Sequence, residues 1–217
     1  MNTKKILKII GIIILIIIAL VLIHTIRNYI IIKNMQKNFS KYEASTNYYI
    51  KSVATDESGA VATMEYYQKS NKQVATIEKN TNGEISKTTM YNNGERTDIF
   101  YDNKEGKTAK IDSKTIIDVQ INNFLKSDSE WQTFLVSIPA KIKSTKYNEK
   151  DCYSIKNLPS AFYVAGESSE VYIEKETGLL VKNMQNDITT EKEYKFDCVE
   201  DTIFAEPDIS QYTIKGE

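Results

Sequence analysis

The chain predicts an α+β protein: a single N-terminal transmembrane helix, then a large curved antiparallel β-sheet of about 11 strands, a half-barrel with helices packed on its concave side. Three observations predict it. Residues 9–26 are almost unbroken Ile, Leu and Val behind Lys4, Lys5 and Lys8. From Ser45 apolar residues alternate with polar ones in short runs separated by Asn- and Gly-bearing turns. Residues 114–135 interrupt that alternation with three- and four-residue spacing.

At about 1.5 Å per residue the 9–26 run reaches roughly 27 Å, against a bilayer core of about 30 Å. The competing reading is a secretory signal peptide, whose apolar region of about 7–15 residues ends at a small-residue cleavage site. Here Ile9 to Ile23 already reaches that limit and the run continues through His24 and Thr25 to Ile26. No A-x-A pattern follows, and no Cys stands ready to accept a lipid. The expectation is an uncleaved signal anchor, single-pass in the cell membrane. Three Lys precede the span while Arg27 and Lys33 follow it. The positive-inside bias then keeps residues 1–8 cytoplasmic and the C-terminal domain extracytoplasmic. His24 is the sole histidine; without an ionisable partner in the span it is expected to meet headgroups or water at the exit point.

Residues 27–44 read as a juxtamembrane helix, with Tyr29, Ile32, Met35, Phe39 and Tyr42 at helical spacing. Strands follow over 46–54, 60–68, 72–79, 84–91, 95–102 and 106–111, rich in Tyr, Val, Ile, Thr and Met. Asn82-Gly83 and Asn93-Gly94 supply the positive φ that tight hairpin turns need. Within 114–135, Ile116, Ile117, Val119, Ile121, Phe124 and Leu125, then Trp131, Phe134 and Leu135, suit one or two amphipathic helices, with Trp131 packed on a sheet or, alternatively, touching a ligand. Strands resume over 140–147, 151–157, 169–175, 179–187 and 191–199, with a turn at Thr177-Gly178. Pro207 and a polar tail close a β domain spanning 45–217.

The chain holds 28 basic and 29 acidic residues. Five of the basic ones precede residue 34 and no acid occurs before Glu43, so residues 34–217 carry 23 basic against 29 acidic, a net charge of −6. An acidic domain lacks the basic footprint nucleic acid requires. Cys152 and Cys198 both fall in strand-like segments. Bridged, they would close a loop of about 50 residues and contribute about 3–4 kcal/mol; alternatively they are two separate, partly buried thiols. Two Cys without a histidine partner build neither a zinc site nor a nucleophile, so no metal and no cofactor are expected. Nucleophile-elbow, Ser-x-x-Lys, zincin and phosphate-loop patterns are absent, and the domain has no His for acid–base work. Glu174 and Glu176 read as solvated turn charges. The expectation is a non-enzymatic protein.

A sheet of this size curls, and helices on one side enclose an apolar concavity suited to a lipid, acyl chain or lipoprotein moiety. Alternating positions nominate Tyr49, Val53, Met64, Tyr66, Ile77, Met90, Ile99 and Tyr101 as its lining. The alternative is that these side chains fill a dry core. A second possibility is a sensor or structural domain contacting another envelope protein.

Several segments resemble the LolA/RseB-like lipoprotein-carrier group. They are the Tyr-rich first strand Asn47-Tyr48-Tyr49-Ile50-Lys51, the hairpin Met64-Glu65-Tyr66-Tyr67-Gln68-Lys69, and Met90-Tyr91-Asn92-Asn93-Gly94. Val171 to Lys182 looks like that group's strand, Asp-Lys-x-Thr-Gly-Leu-Pro, strand hairpin, with Glu174 in place of the Asp and Leu180 in place of the Pro. Phe204-Ala205-Glu206-Pro207-Asp208 resembles its Phe-x-x-Pro terminus. The resemblance covers roughly residues 34–212. It implies the half-barrel fold and a bacterial envelope protein that shuttles lipoproteins, binds lipids or senses envelope stress. A permanent anchor is incompatible with shuttling; it fits a tethered lipid binder or an interaction domain.

Overall fold

The computed structural model describes residues 3–115, 117, 119, 121, 129–156, 168–205 and 207–215. The class is the expected α+β one: a long apolar helix, then an open, mostly antiparallel arrangement of strands with a few short helices. The anchor and juxtamembrane segments are one helix, α1 (Thr3–Glu43), of 41 residues. No proline interrupts it, so the i→i−4 ladder runs through. Its surface changes character near residue 25. Leu15 and Ile23 are about two-thirds exposed and most apolar residues between them about half, whereas Thr25, Asn28, Ile32, Met35 and Phe39 are buried. Those five recur at steps of three and four, one face of a helix. The stripe shares Ile32, Met35 and Phe39 with the expected one; Tyr29 and Tyr42 are only half-buried.

The strands follow in order: β1 (Asn47–Thr55), β2 (Val61–Lys69), β3 (Lys72–Thr81), β4 (Glu84–Asn92), β5 (Thr97–Asn103) and β6 (Gly106–Ser113). After α2 (Glu130–Ser137) come β7 (Lys141–Tyr147), β8 (Lys150–Lys156), β9 (Ser168–Glu174), β10 (Leu180–Gln185), β11 (Ile188–Phe196) and β12 (Thr213–Ile214). Ten of the expected strands lie within two residues of their expected ends. The exception is β11, three residues early, because Asn186 takes a left-handed φ of 49° and turns the chain in two residues. The dipeptide β12 was not foreseen; it runs parallel to β6. Of the helices expected over 114–135, α2 is present, while at 117, 119 and 121 the chain is not helical although Ile117 and Ile121 are buried. Residues 116, 118, 120 and 122–128, with Phe124 and Leu125 among them, lie outside the described residues, as does 157.

The chain divides into two compact units. One comprises residues 1–39 and 124–179. Here β7, β8 and β9 form an antiparallel meander with Ile142 opposite Ile155 and Ile155 opposite Val171, all buried. The Ser129 hydroxyl caps α2 by accepting from the Gln132 amide at 3.2 Å, and Pro139 follows its end. Thr133, Val136 and Ser137 form the buried face of α2. Trp131, expected against a sheet, is instead 65% exposed, because it stands on the opposite face; among the described residues its ring stacks on Phe134.

The other unit comprises residues 40–123 and 180–217. Its strands run β12-β6-β5-β4-β3-β2-β1-β11-β10. On one sheet face Val74, Tyr91, Phe100 and Ala109 pack with Val199 and Phe204 of the C-terminal segment. The 3₁₀ turn Asp201–Phe204 is pinned there by the Tyr91 hydroxyl, which donates to the Phe204 carbonyl at 2.5 Å. Tyr91→Phe should therefore cost this unit about 1–2 kcal/mol. Hydrogen exchange should quicken in β4 and in residues 201–204; unchanged exchange there would remove the Tyr91 pin from the account.

Candidate functional site

Strand register sorts the candidate lining residues by face. On β1 to β5 the cross-strand row Ile50–Tyr66–Ala75–Met90–Ile99 lies on one face, and β11 extends it with Tyr194. The adjacent row on the same face reads Lys192–Ser52–Met64–Ile77–Thr88–Tyr101. Six of the eight expected residues, Met64, Tyr66, Ile77, Met90, Ile99 and Tyr101, are thus brought together in two neighbouring rows. Tyr49 and Val53 are not: they are one residue out of phase with Ile50 and Ser52, so they point to the opposite face.

A third row, Phe196–Tyr48–Gln68–Gln73–Asn92–Thr97, borders the apolar ones. Its polar groups are satisfied among themselves. Gln68 Oε1 accepts from the Tyr48 and Tyr66 hydroxyls, each at 2.7 Å, and Gln73 Nε2 donates to the Tyr66 oxygen at 2.9 Å. Tyr66 and Ile99 are buried, Met64, Ile77 and Met90 are half-buried, and Tyr101 is 37% exposed. The face therefore grades from closed to open along β4 and β5.

Besides Ser52, Thr88, Tyr66 and Tyr101, two ionisable groups of β11 stand on this face. The Tyr194 hydroxyl is buried with no hydrogen-bond partner. Burial pushes its phenol above the ordinary tyrosine range. Lys192, one step along the same face, has its ammonium held below the usual lysine range by burial. Among the described residues no carboxylate pairs with it. Both were missed from the sequence, where the strand alternates them with the charged Glu191, Glu193 and Lys195. The two-residue phase that puts Lys192, Tyr194 and Phe196 inside was the available signal.

On the other face Tyr49 lines a groove of about 380 Å³ with Tyr67, Lys195, Cys198, Val199, Glu200 and Ile203. The Tyr49 and Tyr67 rings lie 4.8 Å apart, and the Lys195 ammonium sits 5.5 Å from the Tyr49 ring centroid. The Tyr49 hydroxyl donates to Glu65 at 3.0 Å, and burial, then that bond, raises its pKa. A larger polar recess of about 680 Å³ follows the β4–β5 turn and the end of β6. Its Arg96 is committed to Asp98 at 3.1 Å.

Cys152 and Cys198 are both free thiols, so the bridge left open by the sequence is not formed. Cys152 is fully enclosed on β8, and burial, then Glu174, pushes its thiol up, whereas Cys198 is exposed. Glu174 is not the solvated turn charge expected. It is 9% exposed, paired with Lys150 at 3.0 Å, and accepts from the Thr177 hydroxyl at 2.7 Å. Glu176 is exposed. His24 is exposed, and its Nε2 lies 3.1 Å from the Ala140 carbonyl.

No family model and no curated protein matches the chain. A crystal structure of an uncharacterized conserved protein from Thermus thermophilus is similar at 9% identity with a TM-score of 0.46, covering 84% of this chain and 98% of that one.

Proposed function

We propose that the chain is a non-enzymatic, LolA-like binding domain tethered to the cell membrane by α1, single-pass, with residues 1–8 cytoplasmic and the rest extracytoplasmic. Its ligand is a lipid, acyl chain or lipoprotein moiety held on the face that carries Met64, Ile77 and Met90. The observation that supports this is the pair Lys192 and Tyr194. A buried hydroxyl without a partner costs about 1–3 kcal/mol, and a half-buried ammonium with no carboxylate beside it among the described residues is disfavoured as well. Groups kept in that state amid apolar rows suit a ligand with an acidic or carbonyl head and an apolar tail. Flexible Met side chains suit a tail of variable shape.

The test uses the full chain in lipid nanodiscs and a photoactivatable fatty acid. Crosslinks are expected on the peptides carrying Met64 and Met90. Tyr194→Phe and Lys192→Met should each lose most of that labelling while raising the thermal midpoint, Tyr194→Phe by the equivalent of about 1–2 kcal/mol. Labelling confined to α1, or variants that stabilise without losing the crosslink, would sink the lipid reading. The groove floored by Tyr49 and Tyr67 and edged by Ile203, 41% exposed, favours a second reading: a docking site for an envelope protein. Ile203→Glu should then abolish capture of that partner and leave fatty-acid crosslinking intact.

A further inference from the structure

We infer that α2 docks on the outer leaflet of the bilayer, with Trp131, Leu135 and Ile138 as a second membrane contact beside α1. The inference rests on the reading of α1 as a membrane span. Trp131, Leu135 and Ile138 follow an i, i+4, i+7 pattern and make one helical stripe, 65%, 44% and 43% exposed. Such an apolar stripe on an eight-residue helix has no reason to face water, since its opposite face already carries the packing.

What covers it follows from where α2 is fastened. Asn28 Nδ2 donates to the Ala140 carbonyl at 2.7 Å and the Ser137 carbonyl at 3.1 Å, and His24 Nε2 reaches the same Ala140 oxygen. Farther along α1, Lys33 meets Glu130 at 2.6 Å. The C-terminal end of α2 is therefore held at residues 24–28, where the apolar span gives out, and its N-terminal end about one turn farther along. At 1.5 Å per residue, positions 24 to 33 cover roughly 14 Å, beginning at the hydrocarbon boundary and passing through the headgroup layer. On α1 itself Ile26 and Ile30 are each 52% exposed over this stretch, so the apolar surface of the span continues past residue 26. The layer in question is where tryptophan is enriched in membrane proteins, its ring half in the apolar phase and its N–H wet. The occupant of the stripe is lipid. Ile138 lies deepest and Trp131 shallowest.

Trp131 is the sole tryptophan, so its emission reads the contact directly. Full-length protein in phosphatidylcholine vesicles is first washed with alkaline carbonate and floated; then emission is compared with and without lipids brominated high on the acyl chain. Trp131 is expected to be blue-shifted, poorly quenched by aqueous acrylamide, and to lose about half of its emission to bromolipid. Moving the reporter deeper, with Trp131→Phe and Ile138→Trp together, should increase that loss. Protein that floats yet shows both reporters quenched by acrylamide and untouched by bromolipid overturns the docking inference alone. Reporters shielded from both quenchers mean a protein partner covers the stripe, which also overturns it. Protein that does not float removes the span, and the inference falls with it.

Discussion

Gly178→Ala is expected to destabilise the unit formed by residues 1–39 and 124–179 by about 3–5 kcal/mol. Two independent costs add. Gly178 has φ +72°, where an L side chain is strained by about 1–2 kcal/mol. A Cβ there would also lie 2.3 Å from the Met35 carbonyl oxygen and 2.8 Å from the Phe39 amide nitrogen. Both are backbone atoms of α1 and cannot rotate away, so the helix itself must shift. The turn around Gly178 is stiff as well. Its amide donates to the Glu174 carbonyl at 2.9 Å, the Glu174 amide donates to the Leu179 carbonyl at 3.0 Å, and Thr177 braces Glu174. Denaturant unfolding of the detergent-solubilised full chain, followed by Trp131 emission, measures the loss. Gly59→Ala isolates the backbone cost, because φ there is +81° with open space around the new methyl. If hydrogen exchange shows each variant loosening its own unit equally, the close approach of α1 to Gly178 is wrong.

Asn28→Asp, nearly isosteric, is expected to cost the same unit about 3–5 kcal/mol. Asn28 is fully buried, and the two hydrogens of its Nδ2 go to the carbonyls of Ala140 and Ser137, with His24 Nε2 beside it at 3.0 Å. Aspartate replaces that donor with an anionic oxygen aimed at two carbonyl dipoles, so lost hydrogen bonds and an uncompensated buried charge combine. Asn28→Leu, which removes the donor without adding charge, should cost less, about 2–3 kcal/mol. The readout is again Trp131 emission under denaturant. An Asn28→Asp variant as stable as the natural chain would break the proposed fastening of α2 to α1, and the depth order inferred for α2 with it.

Local elements were legible from residue order because their causes are local. Alternation and Asn-Gly turns marked the hairpins: Asn82 and Gly83 take φ of 53° and 84°, as a primed hairpin turn demands. The long apolar helix was legible because a run of about eighteen apolar residues is far longer than a strand. Boundaries slipped where a residue other than glycine took a left-handed conformation, as Asn186 did ahead of β11. The site was half legible. Period-two counting placed Met64, Tyr66, Ile77, Met90, Ile99 and Tyr101 together, but phase is set separately in each strand, and Tyr49 and Val53 were read one residue out of step. Lys192 and Tyr194 were hidden because desolvation belongs to the neighbours, and charged residues on the alternate positions masked the inward phase.

Sequence alone determined that this protein pairs a long apolar helix with antiparallel hairpins, since period and turn chemistry act over a few residues. Tertiary structure decided what those elements do for one another. It made the Thr177-Gly178 turn the seat of a helix backbone rather than a hairpin signal only. It tied a buried Asn28 to carbonyls more than a hundred positions away. It left Cys152 sealed, Trp131 exposed and Tyr194 without a partner. Such outcomes depend on which surfaces meet across long stretches of chain, and no short-range periodicity carries that information.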